Sequence, residues 1–331
     1  MPGNALRVVF FGTPEFAVPT LEALLSSRHT VAGVVTQPDR PRGRGQKVTD
    51  SPVKGAGVSR GLPILQPERL KDEAFLDSLR AWHAEIGVVA AYGKILPAAV
   101  LGMPPLGLLN VHASLLPRYR GAAPVHRAVM AGDAETGISI MRIVQALDAG
   151  GVFATAVRPI GPDDTSAEVE HDLARIGAGL LLDTLDRITS GQAHETPQDE
   201  TAATYAPRLR KEEGAIDWRW DAARIHNLVR GLQPWPLAWT SIEGRRLIVL
   251  RTRRVTEPLE PVLQPGAIAA TTRDAVRVQT GAGFVDVLTV QPEGRRVMSA
   301  REFAVGHLAG RGLRFEPPPE PASGAGGDVP R

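Results

Sequence analysis

The stretch Leu6–Val35, LRVVFFGTPEFAVPTLEALLSSRHTVAGVV, decides the fold. Leu6–Phe11 is an unbroken apolar run stopped by Gly12-Thr13-Pro14, the pattern of a strand buried on both faces and followed by a turn. Phe16–Leu25 then carries Phe16, Ala17, Leu21, Leu24 and Leu25 at helical spacing, and Val31–Val35 is a second apolar run. Strand, helix, strand in this order predicts a parallel α/β sheet. The series continues with a helix over Glu73–Ala81 and strands at Ile86–Ala91, Leu106–Val111 and Ile138–Val144. A long helix is expected over Ser166–Ile188, with Ser166 as its N-cap and Val169, Leu173, Ile176, Leu180 and Leu181 on one face.

Beyond Gly191 the pattern changes. Residues 191–210 are polar and read as a linker. A helix over Ala222–Leu232 is followed by short strand-like runs at Ala238–Ile242, Leu247–Val255, Ala267–Ala270, Ala275–Gln279 and Phe284–Val290. Glu243-Gly244, Pro265-Gly266 and Gly281–Gly283 separate them, which predicts a small β-barrel or sandwich. The expected organisation is an α/β domain over 1–190, a linker over 191–210, a second domain over 211–315 and a Pro/Gly-rich, disordered tail over 316–331.

Composition narrows the class. The chain has 331 residues, 43% hydrophobic and 22% charged, as in an ordinary soluble protein, which excludes a disordered, collagen-like or coiled-coil chain. No apolar run approaches the ~18–20 residues of a membrane span, and no signal-peptide pattern opens the sequence. With no cysteine, disulfides and thiolate metal sites are excluded, and a cytoplasmic enzyme or binding protein is the expectation. The net charge of +2 is unevenly spread: residues 1–207 hold 19 Lys/Arg against 22 Asp/Glu, whereas 208–315 hold 18 against 11. A basic second half suits a polyanionic partner, although frequent arginine use would give the same counts.

Four segments could carry chemistry. Gly12-Thr13-Pro14 lacks the further glycines of a dinucleotide fingerprint, and Pro14 removes a backbone donor, so an NAD site has little support. Thr36–Lys47, TQPDRPRGRGQK, has no apolar residue and carries Arg40, Arg42, Arg44 and Lys47. It is either a solvated loop or a loop for phosphates, which bind by charge without exact geometry. Asn110 and His112 end a strand-like run with i, i+2 spacing and therefore share a face. At the C-terminal edge of an open α/β sheet, an amide donor beside an imidazole suits oxyanion stabilisation and proton transfer at a carbonyl. Asp148, in QALDAGG, could orient His112 or simply be a turn aspartate before glycine. The eight histidines are scattered with no metal-ligand spacing, and no G-x-S-x-G nucleophile motif is present.

These segments, read together, resemble the bacterial methionyl-tRNA formyltransferases to about residue 315. The resemblance is carried by FGTPEFA at Phe11–Ala17, TQPDRPRGRGQK at Thr36–Lys47, SPVK at Ser51–Lys54, AYG at Ala91–Gly93, NVHASLLPRYRGAAP at Asn110–Pro124, GDAETG at Gly132–Gly137, LDAG at Leu147–Gly150, KEEGAIDW at Lys211–Trp218 and PWPLAW at Pro234–Trp239. It implies a Rossmann-like, mostly parallel sheet domain that uses 10-formyltetrahydrofolate without a metal. It also implies a second, OB-like barrel that holds the initiator methionyl-tRNA, in a monomer with no membrane partner. Asn110, His112 and Asp148 fall on the family's catalytic residues. Ser114, Leu115, Leu116 and Pro117, with Tyr92 and Gly93, fall at the folate site, and Arg40, Arg42, Arg44 and Lys47 on the loop used near the tRNA acceptor end. The chain departs from the family's usual GLDTGD at Ala146-Leu147-Asp148-Ala149-Gly150-Gly151, and Tyr119 stands where Trp is frequent. Competing readings are a formyltransferase for a small amine, a formyltetrahydrofolate hydrolase, a non-catalytic RNA-binding protein and, distantly, an NAD-dependent oxidoreductase.

Overall fold

The computed structural model describes residues 4–42, 47–255, 263–307 and 314–316. They fall into two compact units, one made of the chain up to 128 with 133–208, the other of 129–132 with the chain from 209 onward.

The first unit follows the expected alternation. In chain order it contains β1 (Arg7–Gly12), α1 (Val18–Leu25), β2 (Thr30–Val35), β3 (Arg40–Arg42), β4 (Lys47–Thr49), α2 (Pro52–Ser59), β5 (Ile64–Leu65), α3 (Glu73–Ala81), β6 (Ile86–Ala90), α4 (Ala98–Leu101), β7 (Leu108–His112), β8 (Arg120–Gly121), α5 (Pro124–Ala131, which ends in the second unit), β9 (Glu135–Arg142), β10 (Val152–Pro159), α6 (Ser166–Thr189) and β11 (Tyr205–Ala206). Seven strands form one sheet in the order β10-β9-β7-β6-β1-β2-β5. Strands β5, β2, β1, β6 and β7 run parallel, and β9 and β10 are antiparallel additions at one edge. The chain leaves β1 toward β2 and returns to its other side at β6, which puts the topological switch point between β1 and β6. Both faces are covered, so β1 and β6 read as continuous apolar runs instead of alternating ones. A glycine in mid-β2 has a packing reason: a Cβ on Gly33 would lie 2.4 Å from the ring of Trp82.

The cap of helix α6 lies one residue before the expected one. Thr165, not Ser166, caps it, accepting from the Glu168 amide at 3.3 Å while Glu168 Oε2 accepts from the Thr165 amide at 2.8 Å. Ser166 is fully buried instead. The buried row is Val169, Leu173, Gly177 and Leu181, an i, i+4 stripe, with Ile176 and Leu180 at its half-buried margin. Gly177 lets the helix approach β7, since a Cβ there would meet Val111 Cγ1 at 2.7 Å.

Residues 191–210, expected as a linker, belong mostly to the first unit. Thr196 bridges Val152, and β11 pairs in parallel with β8. Polar composition suggested solvent, and most of the stretch is exposed, but the side chains of Glu195, Gln198, Glu200 and Thr204 bond to the first unit's loops.

The second unit contains α7 (Ala222–Gly231), β12 (Ala238–Ile242), β13 (Arg245–Val255), β14 (Ile268–Thr271), β15 (Val276–Gln279), β16 (Phe284–Pro292), β17 (Met298–Ser299) and α8 (Ala300–His307). Its antiparallel sheet has the order β12-β13-β16-β15-β14, with β17 on β16. Residues 314–316 reach both margins, bridging Ser241 of β12 through Glu316 and Ala267 beside β14 through Arg314. This short segment draws the two edge strands together, and Phe315 stacks on the buried Trp218 at 5.3 Å. The proline-rich tail beyond 316 lies outside the described residues.

Candidate active site

Strand β7 delivers Asn110 and His112 to the C-terminal edge of the parallel strands. Val111 packs toward α6, so the alternation of the strand puts Asn110 and His112 on the other face. Asn110 is half-buried, and its side-chain amide has no hydrogen bond among the described residues. His112 is 5% exposed. Its Nε2 lies 3.1 Å from the carbonyl oxygen of Tyr119. A carbonyl only accepts, so Nε2 carries the proton and donates there. The other ring nitrogen, Nδ1, faces Asp148 Oδ2 at 3.7 Å.

Asp148 therefore does reach His112, which the sequence left open. It adopts a left-handed backbone conformation with φ of 46°, uncommon for a residue with a Cβ. Its Oδ2 accepts the backbone N–H of Gly121 at 2.8 Å. The tripeptide Tyr119-Arg120-Gly121 thus touches both groups, His112 through a carbonyl and Asp148 through an amide.

Around this pair the loops are tightly tied. Ser114 is fully buried; its hydroxyl donates to the Arg118 carbonyl at 2.6 Å, and its own carbonyl accepts from Ser139 Oγ at 2.7 Å. Ser139 Oγ in turn accepts the Leu116 amide at 3.1 Å. Ser114 therefore shapes the 114–118 turn and turns its hydroxyl inward, while Leu115, Leu116 and Pro117 stay half-buried. Tyr92 is 2% exposed, packs edge-on against Phe11, and its hydroxyl has no partner. Burial pushes that phenol up to about 12. Its ring is a core group, so only the backbone of Tyr92 and Gly93 is presented at the sheet edge. There the Tyr92 carbonyl accepts from Gln37 Nε2 at 2.7 Å and Thr13 Oγ1 at 3.2 Å, which locks together the loops after β1, β2 and β6 at the switch point.

The residues that flank the basic loop are pinned. Lys54 ion-pairs with Asp39 and, at 2.8 Å, with Asp50, and Gln66 Nε2 donates to Asp39 Oδ1 at 2.9 Å. The Lys54 ammonium and the Gln66 amide hold the Asp39 carboxyl below its ordinary range. Arg40 is exposed, and β3 pairs with β4 so that Arg42 opposes Lys47. The side chains of Arg42 and Lys47, and all of Arg44, lie outside the described residues.

Three residues escape sequence reasoning here. Tyr119 and Gly121 act through backbone atoms, and Gln198 sits in the presumed linker, where nothing marks it. Among the described residues no group of three or more His, Asp or Glu could hold a metal.

Comparison with known proteins shows the family. A family model described as formyl transferase matches residues 6–185, and one described as the formyl transferase C-terminal domain matches residues 208–308. The chain is 46% identical over 302 residues to a methionyl-tRNA formyltransferase of Moorella thermoacetica, covering 91% of this chain and 96% of that one. It is 46% identical over 316 residues to a methionyl-tRNA formyltransferase of Heliobacterium modesticaldum, covering 94% and 100%. Among solved structures, WlaRD, a sugar 3N-formyl transferase crystallised in the presence of dTDP and 5-N-formyl-THF, superposes with a TM-score of 0.65 at 15% identity, covering 89% of this chain and 100% of that one. HypX from Aquifex aeolicus in complex with tetrahydrofolic acid superposes with a TM-score of 0.64 at 16% identity, covering 93% of this chain and 48% of that one. These two likenesses speak to the fold.

Proposed function

The chain belongs to the formyl transferase family, and on that premise we propose that it moves the formyl group of 10-formyltetrahydrofolate to the amino group of methionyl-tRNA, giving N-formylmethionyl-tRNA. The observation that carries the chemistry is the convergence of Asn110, His112 and Asp148 at one sheet edge, with the Asn110 amide left free beside a buried histidine.

The neutral amine attacks the formyl carbon, and the carbonyl oxygen becomes an oxyanion. The Asn110 amide donates to it. At 3.7 Å from Asp148 Oδ2, His112 Nδ1 is not tied to the carboxylate, and when the ring carries a proton on both nitrogens this Nδ1–H turns to the oxyanion while Asp148 offsets the ring's charge. One well-placed donor of this kind contributes about 3–4 kcal/mol. Asp148 Oδ1 accepts no hydrogen bond among the described residues and is open to receive the amine proton through water. As the tetrahedral centre collapses, the bond from carbon to the folate N10 breaks and that nitrogen takes up the proton. The electron and proton balance closes with no metal and no covalent enzyme intermediate.

We assign the chemistry to the first unit and the grip on tRNA to the second, helped by Arg40, Arg42, Arg44 and Lys47. The second unit's surplus of Lys/Arg, 18 against 11 acids over 208–315, supports that division. None of the described helices is long and apolar enough to cross a membrane; a charged tRNA as acceptor fits a cytoplasmic site of action.

The decisive experiment supplies 10-formyltetrahydrofolate with methionyl-tRNA, with free methionine, or with buffer alone. Formylation of the aminoacyl-tRNA only is the expected result. Formate release without an acceptor would make the protein a hydrolase, and formylation of free amines would remove the tRNA requirement.

A further inference from the structure

We propose that Gln198, oriented by Arg120 and Glu200, is a positioning residue that holds Asp148 against His112. The inference rests on the assignment of Asp148 to catalysis. It begins from a conflict inside the loop Ala146–Gly151. Asp148 sits at φ of 46°, a conformation that surrounding contacts must enforce. Yet Ala146, Leu147, Ala149, Gly150 and Gly151 carry no side-chain hydrogen-bonding group. The restraint has to come from elsewhere in the chain.

It comes from residue 198, 50 positions on. Gln198 Nε2 donates to the carbonyl of Asp148 at 2.8 Å and to that of Gly150 at 2.7 Å. Both amide hydrogens are used, one on either side of Ala149. Gln198 Oε1 accepts from Arg120 Nε at 3.1 Å and Nη2 at 2.8 Å. A guanidinium can only donate, so it forces the amide oxygen toward itself and the amide nitrogen toward the loop. Arg120 has no freedom to turn away: its side chain is 2% exposed, and it forms a bidentate pair with Glu200 at 2.8 and 2.7 Å. The next residue, Gly121, gives its amide to Asp148 Oδ2. Arg120-Gly121 therefore grips Asp148 twice, directly at the carboxylate and through Gln198 at the backbone. The closed ring of contacts fixes the carboxylate's height and direction relative to His112.

The test uses the full-length enzyme with three variants. Gln198→Glu keeps size and the tie to Arg120 but places an acceptor against two carbonyls, and Gln198→Met keeps volume while removing every hydrogen bond. Each is expected to lower kcat by about 10- to 100-fold, the scale of an ångström-level misplacement, with less than about threefold change in KM for either substrate. Asp148→Asn is the reference, and Gln198→Met combined with Asp148→Asn should be no slower than Asp148→Asn alone, because residues acting through one group are not additive. Wild-type kcat in both Gln198 variants, or a double variant slowed by the product of the single effects, overturns the proposal while leaving Asp148 in the mechanism. Wild-type kcat in Asp148→Asn overturns the catalytic assignment itself. Circular dichroism melts read alongside separate misfolding from misplacement, and if Gln198→Glu is unfolded the Gln198→Met pair decides alone.

Discussion

Tyr119 turns its carbonyl oxygen onto Nε2 of His112, 3.1 Å away, from a residue whose own φ is 60°. That turn is held from outside, by Thr204 Oγ1 accepting the Tyr119 amide at 2.8 Å and by Asp133 accepting the phenol at 2.8 Å. The Nε2 proton is thereby committed to the side away from Asp148. Nδ1 is the ring atom that faces the carboxylate.

If Asn110 and His112 act at the oxyanion, Asn110→Ala and His112→Ala should each lower kcat by about 10²–10³-fold. Methionyl-tRNA affinity should change little, because neither residue belongs to the basic surfaces. Single-turnover kinetics with a parallel filter-binding assay separates the two quantities. Normal turnover in either variant removes that residue from the mechanism.

The second unit's exposed arginines, among them Arg245, Arg246, Arg254, Arg295 and Arg296, predict a salt-dependent grip on RNA. Between 50 and 200 mM salt, the KM for methionyl-tRNA should rise about ten- to fortyfold if two to three phosphates are neutralised. KM for the folate should stay level, and Arg44→Ala should likewise affect only the tRNA. A salt-independent tRNA KM would exclude an electrostatic platform.

Asp286 in β16 is 1% exposed and paired with Arg277 at 2.7 Å and Arg253 at 3.0 Å. Burial alone would raise its carboxyl, but the two guanidiniums hold it below the ordinary value. A carboxyl depressed in the folded state stabilises above the unfolded value near pH 3.8 and loses that contribution as pH falls through the lower folded one. Asp286→Asn should therefore destabilise by about 2–3 kcal/mol at neutral pH. In urea titrations the gap from wild type should hold from pH 8 to 5 and close below about pH 4. A constant gap down to pH 2 would show that the charge is not its source.

Glu170 on α6 gives the opposite sign. Burial pushes its carboxyl up to about 7 from 4.5, with His126 Nδ1 3.5 Å away. The folded protein then binds more protons than the unfolded chain between those values, so stability falls as pH rises across that window. Glu170→Gln should flatten the fall in Tm between pH 5 and 8 and raise Tm at pH 8. An unchanged slope would place the titrating group elsewhere.

How far the residues foretold this architecture depends on whether a signal is local. The α/β order was legible in Leu6–Val35 because a strand buried on both faces writes itself as an unbroken apolar run. Asn110 and His112 were legible as a pair because strand periodicity fixes their common face. Asp148 meeting His112 was not, since that contact crosses from one loop to another and turns on a backbone angle. Tyr92 reads as a site residue from its neighbours, yet its ring is drawn into the core by Phe11 and the apolar cluster around it. The capping of α6 was missed by one residue because Thr165 and Ser166 are both good caps, and only the Glu168 side chain at the third position favours the first. Residues 196–206 were misread for a plainer reason. Polar residues that serve as ties look, in sequence, like polar residues in water.

Strand β8 finds its partner β11 only after another 80-odd residues of chain have been made; Tyr119 and Thr204 are 85 apart. For a polypeptide emerging in order from a ribosome, the sheet is made by Pro159 and its helical layers by Thr189, so both can assemble before that partner arrives, since long closures come last. During that interval the strand that carries Asn110 and His112 is in place while the loop opposite it is unbraced. The enzyme becomes competent late in its own synthesis, when the stretch just ahead of the second unit has been threaded back along the first.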